Sequence, residues 1–326
     1  MTTVIIPNYN GRHYLSDCLK SLYQDIKELD SEQTVKVIVV DDGSNDGSVD
    51  FITTVYPEVE IIALKANTGF CHAINRGIEA AKTEFVLLLN NDTIIKPGFI
   101  LALQKAITHS PKIFSVAAKM LDIGHPGLVE SAGDLYTALG WAVGRGRGKK
   151  SKKYKRTTPV FSACAGAAIY RREMIVALGY FDETHFAYLE DVDLGYAARL
   201  RGYKNRCCSA AEVFHIGSAT TGSRYNFQKT RLSSQNSIIL IAKNMPLLQI
   251  LVNLPFLLLG FFVKTLFYFW RGMGICYLQG LGRGIKMSFS KEVRSRKVRF
   301  RIKNTHRYLL IQLELFINIL RGITMM

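Results

Sequence analysis

The apolar run Phe85-Val86-Leu87-Leu88-Leu89 stops abruptly at Asn90-Asn91-Asp92. Five consecutive apolar residues without helical spacing read as a strand buried on both faces, as in parallel sheets with helices above and below. Open α/β sheets bind ligands just beyond the carboxyl ends of such strands. Asp92 is thus placed to meet a ligand, or a metal that carries one. The alternative is a polar loop in which Asp92 caps the helix near Pro97-Gly98.

The surrounding chain repeats the same unit. Val4-Ile5-Ile6 begins a strand that ends in the turn-rich Pro7-Asn8-Tyr9-Asn10-Gly11. Tyr14, Leu15, Cys18, Leu19 and Leu22 follow at helical spacing. Val35 to Val40 forms a second strand, ending in Asp41-Asp42-Gly43-Ser44, and Val59 to Leu64 a third. Helices are expected from Asp46 to Val55, Gly69 to Ala81 and Pro97 to His109, then a strand from Phe114 to Ala118. Strand–helix alternation with short loops predicts a parallel-rich α/β sheet. From Leu121 to Pro159 no period is visible, and a long flexible loop is expected. Regular structure resumes with a strand over Ala165 to Arg171, helices from Arg172 and Glu190, and short strands at Lys204 to Cys208 and Glu212 to Phe214. Beyond Phe227 the pattern is helical.

Charge is unevenly placed. The formal net charge of +16 concentrates in two stretches, Arg145 to Arg156 (+8) and Arg283 to Arg307 (+9), leaving the rest near −1. Both stretches are poor in aromatics, which argues against a nucleic-acid groove and for an anionic substrate or membrane surface. The six cysteines have no metal-ligand spacing, and the first strand starts almost at once, so a reduced, cytoplasmic protein without a signal peptide is expected. Met245 to Trp270 is apolar enough to cross a bilayer, yet Gln249, Asn253, Gly260 and Lys264 align on one helical face. An interfacial or protein-packed helix fits that pattern better than a lipid-surrounded span, and peripheral or re-entrant association is expected. Leu309 to Leu320 is similarly amphipathic.

Three strand ends therefore converge: Pro7-Asn8-Tyr9-Asn10, Asp41-Asp42-Gly43-Ser44 and Asn90-Asn91-Asp92. Together with Asn67-Thr68-Gly69-Phe70, Phe181-Asp182-Glu183, Glu190-Asp191-Val192-Asp193-Leu194 and His215-Ile216-Gly217-Ser218, the chain resembles family 2 glycosyltransferases of the GT-A fold. Its nearest likeness is to the branch of bacterial rhamnosyltransferases and galactofuranosyltransferases, over roughly residues 2 to 245. The resemblance implies a Rossmann-like mixed sheet flanked by helices in a catalytic domain over residues 1–225. A helical, membrane-associating extension would occupy residues 226–326.

The resemblance also implies roles. Pro7 and Tyr9 would line a nucleobase slot, Asp42 would accept the base's imide N–H, and Asn67 would help hold the base. Gly69, Asn91 and Gly166 would border the nucleotide sugar, with Gly166-Ala167-Ala168 letting it lie close to the backbone. Asp92 and His215 would hold Mg²⁺ or Mn²⁺ against the diphosphate. Asn90 stands where many relatives have the first carboxylate of Asp-X-Asp. Asp191 would be the general base and Glu190 would position the acceptor. Arg171 and Arg172 could contact the diphosphate or serve as helix-start charges. The expected donor is dTDP-rhamnose, with UDP-galactofuranose or UDP-N-acetylglucosamine as alternatives. The expected acceptor is a saccharide on a polyprenyl diphosphate at the cytoplasmic face of the membrane. A nucleotidyltransferase would want a Gly-rich phosphate loop with a lysine after the first strand, and residues 7–11 lack one.

Overall fold

A computed structural model describes residues 1–30, 33–216 and 225–323. The central strand pairs are β1 (Thr2–Asn8) with β2 (Val35–Asp41) and with β4 (Phe85–Leu89), both parallel; β3 (Glu60–Ala63) extends the same edge beside β2. On the other side of β4, β11 (Ala167–Arg171) runs antiparallel between β4 and β6 (Ile113–Asp122). Beyond β6 lies β12 (Lys204–His215), and then β10 (Thr158–Val160). The sheet is therefore mixed rather than purely parallel.

Alternation along β4 shows why its sequence is apolar throughout. Phe85, Leu87 and Leu89 join one core with Leu15 and Leu19 of α1 (Arg12–Lys27) and Leu103 of α4 (Phe99–Thr108). Val86 and Leu88 join a second core with Ile74 and Ile78 of α3 (Phe70–Ala80) and Leu194 of α6 (Glu190–Leu200). Each such side chain stabilises the sheet by roughly 1.5–3 kcal/mol when fully buried. Gly77 of α3 lets that helix sit directly on the sheet, because a Cβ there would lie 2.4 Å from Ile5 Cγ2.

Two expectations are corrected. The stretch from Leu121 to Pro159 is folded: β7 (Val129–Ser131) pairs with β6, and β8 (Asp134–Tyr136) forms a hairpin with β9 (Ala142–Gly144). Its strands are three residues long, too short to print a period on the sequence. Likewise Lys204 to His215 is one strand, with an irregularity between Cys208 and Glu212 that breaks its alternation. A short strand β5 (Thr93–Ile95), directly after Asp92, pairs antiparallel with the end of β12 and matches Thr93 with His215.

After residue 226 the described chain is helical: α7 (Phe227–Asn244), α8 (Leu247–Trp270), α9 (Gly274–Ser288), a short α10 (Lys291–Ser295) and α11 (Thr305–Ile323). These helices share a third core with the sheet region, where Leu240, Ile241, Leu257, Ile311 and Leu315 pack against Tyr136, Phe161, Val192 and Tyr196. The polar stripe of α8 faces this packing. Asn253 is fully buried and exchanges two hydrogen bonds with Gln312 of α11, at 2.8 and 2.7 Å. A Cβ at Gly260 would lie 2.2 Å from the carbonyl oxygen of Leu139, so that residue lets α8 approach the hairpin tip. The opposite side of α8 is bare apolar surface, with Leu248 and Trp270 about three-quarters exposed (74% and 77%).

Candidate active site

The strand ends form a continuous chain of contacts. Asn91 donates to Asn8 Oδ1 at 2.7 Å, and Asn8 donates to Asp41 Oδ1 at 2.8 Å. Gly11, after β1, must be bare, because a Cβ there would lie 2.1 Å from Asn91 Nδ2. Asp42 is buried and accepts from the Thr68 and Gly69 backbone N–H groups and from the Thr68 hydroxyl, at 2.7 to 2.9 Å. It thereby fixes the 67–69 loop in front of α3. Gly69, at φ 97°, lies against the Phe186 ring, where a Cβ would come within 2.5 Å of a ring carbon. Pro7 and Tyr9 are partly exposed at the β1 end, and Asn67 is exposed on the loop held by Asp42.

Phe186 opens the segment that delivers the carboxylates. Phe186, Tyr188 and Leu189 have φ of 60°, 75° and 67°, a left-handed run costly for residues with side chains. Asn236 of α7, fully buried, donates through one amide nitrogen to the carbonyls of His185, Ala187 and Tyr188, at 2.8 to 2.9 Å. Glu190 and Asp191 follow directly at the start of α6. Sequence reasoning assigned nothing to Asn236, which offers no motif.

Asp191 is only partly covered, and its Oδ2 accepts from Ala165 N–H at 3.3 Å. The adjacent Gly166 carbonyl accepts from Asn90 N–H at 2.8 Å, which ties Asp191 through β11 back to the end of β4. A Cβ at Gly166 would lie 3.2 Å from Asn90 Nδ2. Asp134, on the folded hairpin, shares the site: carboxylate oxygens of Asp134 and Asp191 and the Cys164 thiol all lie within 4.8 Å of one another. Burial, followed by the charge of Asp191, raises the Asp134 carboxyl well above its usual range. Burial also raises Asp191, against hydrogen bonds from Val192 and Ala165 that hold it down. Glu190 is pushed up to about 8 by burial and by Asp191, and its Oε2 has no hydrogen-bond donor among the described residues. Like charges in one pocket cannot all ionise. Burial raises all three carboxyls, and Asp191 accepts from the backbone N–H groups of Ala165 and Val192, an arrangement that suits a proton acceptor facing the pocket.

On the far side of the strand ends, His215 Nε2 lies 3.2 Å from Asp92 Oδ1 and Nδ1 lies 2.7 Å from Glu130 Oε2. Burial pulls the imidazole down, but the hydrogen bonds it donates to Asp92 and Glu130, and their charges, outweigh it and bring it up to about 10. A proton on the ring is thus favoured beside Asp92, and a cation held there would take that proton's place. The Asp92 contact is a poorly aligned hydrogen bond, so its buried Oδ1 has no well-directed donor among the described residues. An orphaned hard oxygen beside a histidine held from behind by a carboxylate suits a divalent cation. Asp92 and His215 are therefore residues that fit a metal. Glu130 was missed because it lies in the stretch that shows no period, and Gly217 and Ser218 lie outside the described residues.

Two other groupings resemble metal sites and fit one less well. Asp182, His185 and Asp193 cluster, but Lys243 Nζ bonds Asp182 at 2.6 Å and also bonds Asp193, filling the place of a cation. The Asp134–Cys164–Asp191 group includes a thiol raised well above its usual value by burial, a poor partner for Mg²⁺ or Mn²⁺. Arg171 and Arg172 are structural. Arg171 pairs in register with Phe85, at the edge opposite Asn90, and bonds the Ile113 and Ile107 carbonyls; Arg172 bonds that of Ile78.

Comparison with known proteins agrees with this architecture. The chain is 27% identical over 244 residues to N-acetylglucosaminyl-diphospho-decaprenol L-rhamnosyltransferase of Mycobacterium tuberculosis, covering 67% of this chain and 77% of the relative. It is 24% identical over 206 residues to poly-beta-1,6-N-acetyl-D-glucosamine synthase of Staphylococcus aureus, of which it spans 46%. The fold matches S. aureus TarS 1-349 in complex with UDP-GlcNAc at TM-score 0.59, 18% identity and coverage of 96% and 89% of the two chains. It also matches the mannosyltransferase PcManGT of Pyrobaculum calidifontis, in complex with GDP-Man and Mn2+, at TM-score 0.56, 17% identity and coverage of 95% and 85%. The model of the family described as Glycosyl transferase family 2 matches residues 3–179, more than half the chain, and the protein belongs to that glycosyltransferase family.

Proposed function

We propose that this glycosyltransferase moves a sugar, with rhamnose from dTDP-rhamnose the first candidate, to a hydroxyl of a saccharide carried on a polyprenyl diphosphate. The observation that carries the reading is Asp191, a partly exposed carboxylate that accepts from Ala165 and Val192 N–H in a pocket shared with Asp134 and Glu190. Asp191 takes the acceptor hydroxyl proton as that oxygen attacks the anomeric carbon from the face opposite the nucleotide, so configuration inverts. The sugar passes through an oxocarbenium-like state. Asp42, Asn67, Pro7 and Tyr9 bind the base, while Gly69, Asn91 and Gly166 border the sugar and diphosphate.

Asp92 and His215 would hold Mg²⁺ or Mn²⁺, which as a Lewis acid offsets charge on the departing nucleoside diphosphate. The acceptor class rests on the mycobacterial relative, whose name carries a lipid-linked N-acetylglucosamine. The bare apolar face of α8 supports a membrane surface as partner, as does the exposure of Arg283, Lys286, Arg294, Lys297 and Arg299. Each basic residue near an anionic leaflet contributes about 1 kcal/mol. These features favour peripheral attachment at the cytoplasmic face, in the assembly of a cell-surface polysaccharide.

A donor screen with Mg²⁺ or Mn²⁺ tests the reading. dTDP-rhamnose, UDP-galactofuranose and UDP-N-acetylglucosamine would each be supplied with a polyprenyl-diphosphate-linked N-acetylglucosamine while released nucleoside diphosphate is measured. Acceptor-dependent release from one donor supports it. Release that ignores the acceptor in every case would exclude transfer to such a lipid.

A further inference from the structure

A cavity of about 720 Å³ opens between the first turns of α7, the end of α8 and the start of α9. Its walls are mainly apolar, from Phe227, Phe269 and Ile275, which are 65%, 52% and 69% exposed. That surface continues into the bare face of α8, through Leu266 and Trp270, and into Leu278 of α9. One cation lines it, Arg231, exposed and with no carboxylate in ion-pair range among the described residues. Arg271, close by in the chain, stacks on the rings of Tyr225, Phe267 and Trp270, within 5.0 to 5.5 Å of their centroids.

An apolar trough with an unpaired guanidinium fits a ligand that is anionic at one point and hydrocarbon beyond it. Its location chooses among such ligands. Lys229, between the lining residues Gln228 and Arg231, extends over the Tyr188 ring at 5.2 Å. Tyr188 lies in the left-handed segment held by Asn236, two residues before Glu190. A bulk phospholipid needs no such neighbour, whereas an acceptor must bring its sugar to Asp191.

We propose that this cavity seats the part of the acceptor's polyprenyl chain nearest its diphosphate, and that Arg231 pairs with that diphosphate. The assignment rests on the lipid-linked acceptor proposed above, and the test separates the two. A dansyl-labelled farnesyl diphosphate would be titrated into the full-length protein in detergent by fluorescence anisotropy. Both variants alter exposed residues, so folding is kept, as thermal unfolding would check. Arg231→Gln should weaken binding by about tenfold, as losing one charged pair does. Ile275→Gln, which puts an uncharged polar group in the trough, should weaken it by a similar factor while leaving a methyl diphosphate control unchanged.

In transfer assays both variants should raise KM for a farnesyl-diphosphate-linked N-acetylglucosamine and leave donor KM unaltered. Probe binding lost in the variants supports the cavity even if wild-type protein transfers to no lipid-linked sugar, a result that would count against the functional reading alone. Equal probe affinity in wild type and both variants overturns the cavity assignment. Displacement of the probe by phosphatidylglycerol as readily as by unlabelled farnesyl diphosphate also overturns it, by making the cavity a general lipid site.

Discussion

Glu130 places its carboxylate 2.7 Å from Nδ1 of His215, so the other ring nitrogen is turned toward Asp92. The pairing is set by β7 folding back on β6 and by the end of β12 lying beside β5. A histidine oriented from behind by a carboxylate is a stronger metal ligand than a free one. Glu130→Gln should therefore lower Mn²⁺ affinity by roughly 10–100-fold. Asp92→Ala should remove the metal dependence of donor binding altogether. Calorimetry with and without chelator checks both, and equal donor affinity in Asp92→Ala with and without Mn²⁺ is the expected result.

Asp191→Asn removes the base but keeps the shape and the hydrogen bond to Ala165. Transfer should fall by about 10²–10⁴, with the dissociation constant for the nucleoside diphosphate unchanged. A steady-state assay alongside a binding titration measures both. Normal turnover in this variant would move the base to another carboxylate, such as Asp134, which lies within 4.8 Å.

Asn236 holds three carbonyls of a left-handed segment with one buried amide. Asn236→Ala should cost roughly 1–3 kcal/mol of stability through the unpaired carbonyls. It should also lower kcat more than it changes KM for the donor, because the displaced group is the Glu190–Asp191 pair. Thermal unfolding and kinetics on one preparation separate the two effects.

Lys243 offsets two buried carboxylates, so Lys243→Met should destabilise the fold by about 3–5 kcal/mol. Burial raises the Asp182 carboxyl, but Lys243, His185 and hydrogen bonds from Lys243 and Thr184 outweigh it and hold the group down at about 2, against 3.8 unperturbed. A depressed carboxylate stabilises the fold above its unfolded value. That contribution is complete above about pH 4 and is lost as pH falls toward 2. Urea unfolding of the wild type between pH 2 and pH 6 should show the loss, and Lys243→Met should flatten it.

The apolar face of α8 gives a membrane prediction. Leu248→Glu with Leu259→Glu should abolish flotation with phosphatidylglycerol vesicles and leave soluble donor binding intact. Binding of wild type should weaken between 0.1 and 1 M salt, since the Debye length drops from about 10 Å to about 3 Å. Unchanged flotation of the double variant would place the membrane contact elsewhere.

Buried strands and ligand-facing turns are local properties, so the strands from Val4, Val35 and Phe85, with the polar ends that follow them, were legible from residue type and spacing alone. The positions of Asp42, Asp92 and Asp191 at strand and helix ends were legible in the same way, although the roles of Asp42 and Asp191 came from the family resemblance, and so was the inward polar stripe of α8, a matter of helical period. Pairings across long stretches of chain were not legible. Glu130, Asp134, Lys243 and Asn236 belong to no repeating pattern, and short strands leave no period. Arg171 shows the same limit: its direction follows from β11 running antiparallel to β4, which puts it at the far edge from Asn90. The upward shifts of Glu190, Asp134 and Asp191 were likewise decided by tertiary structure, because burial and neighbouring groups, not residue type, cause them.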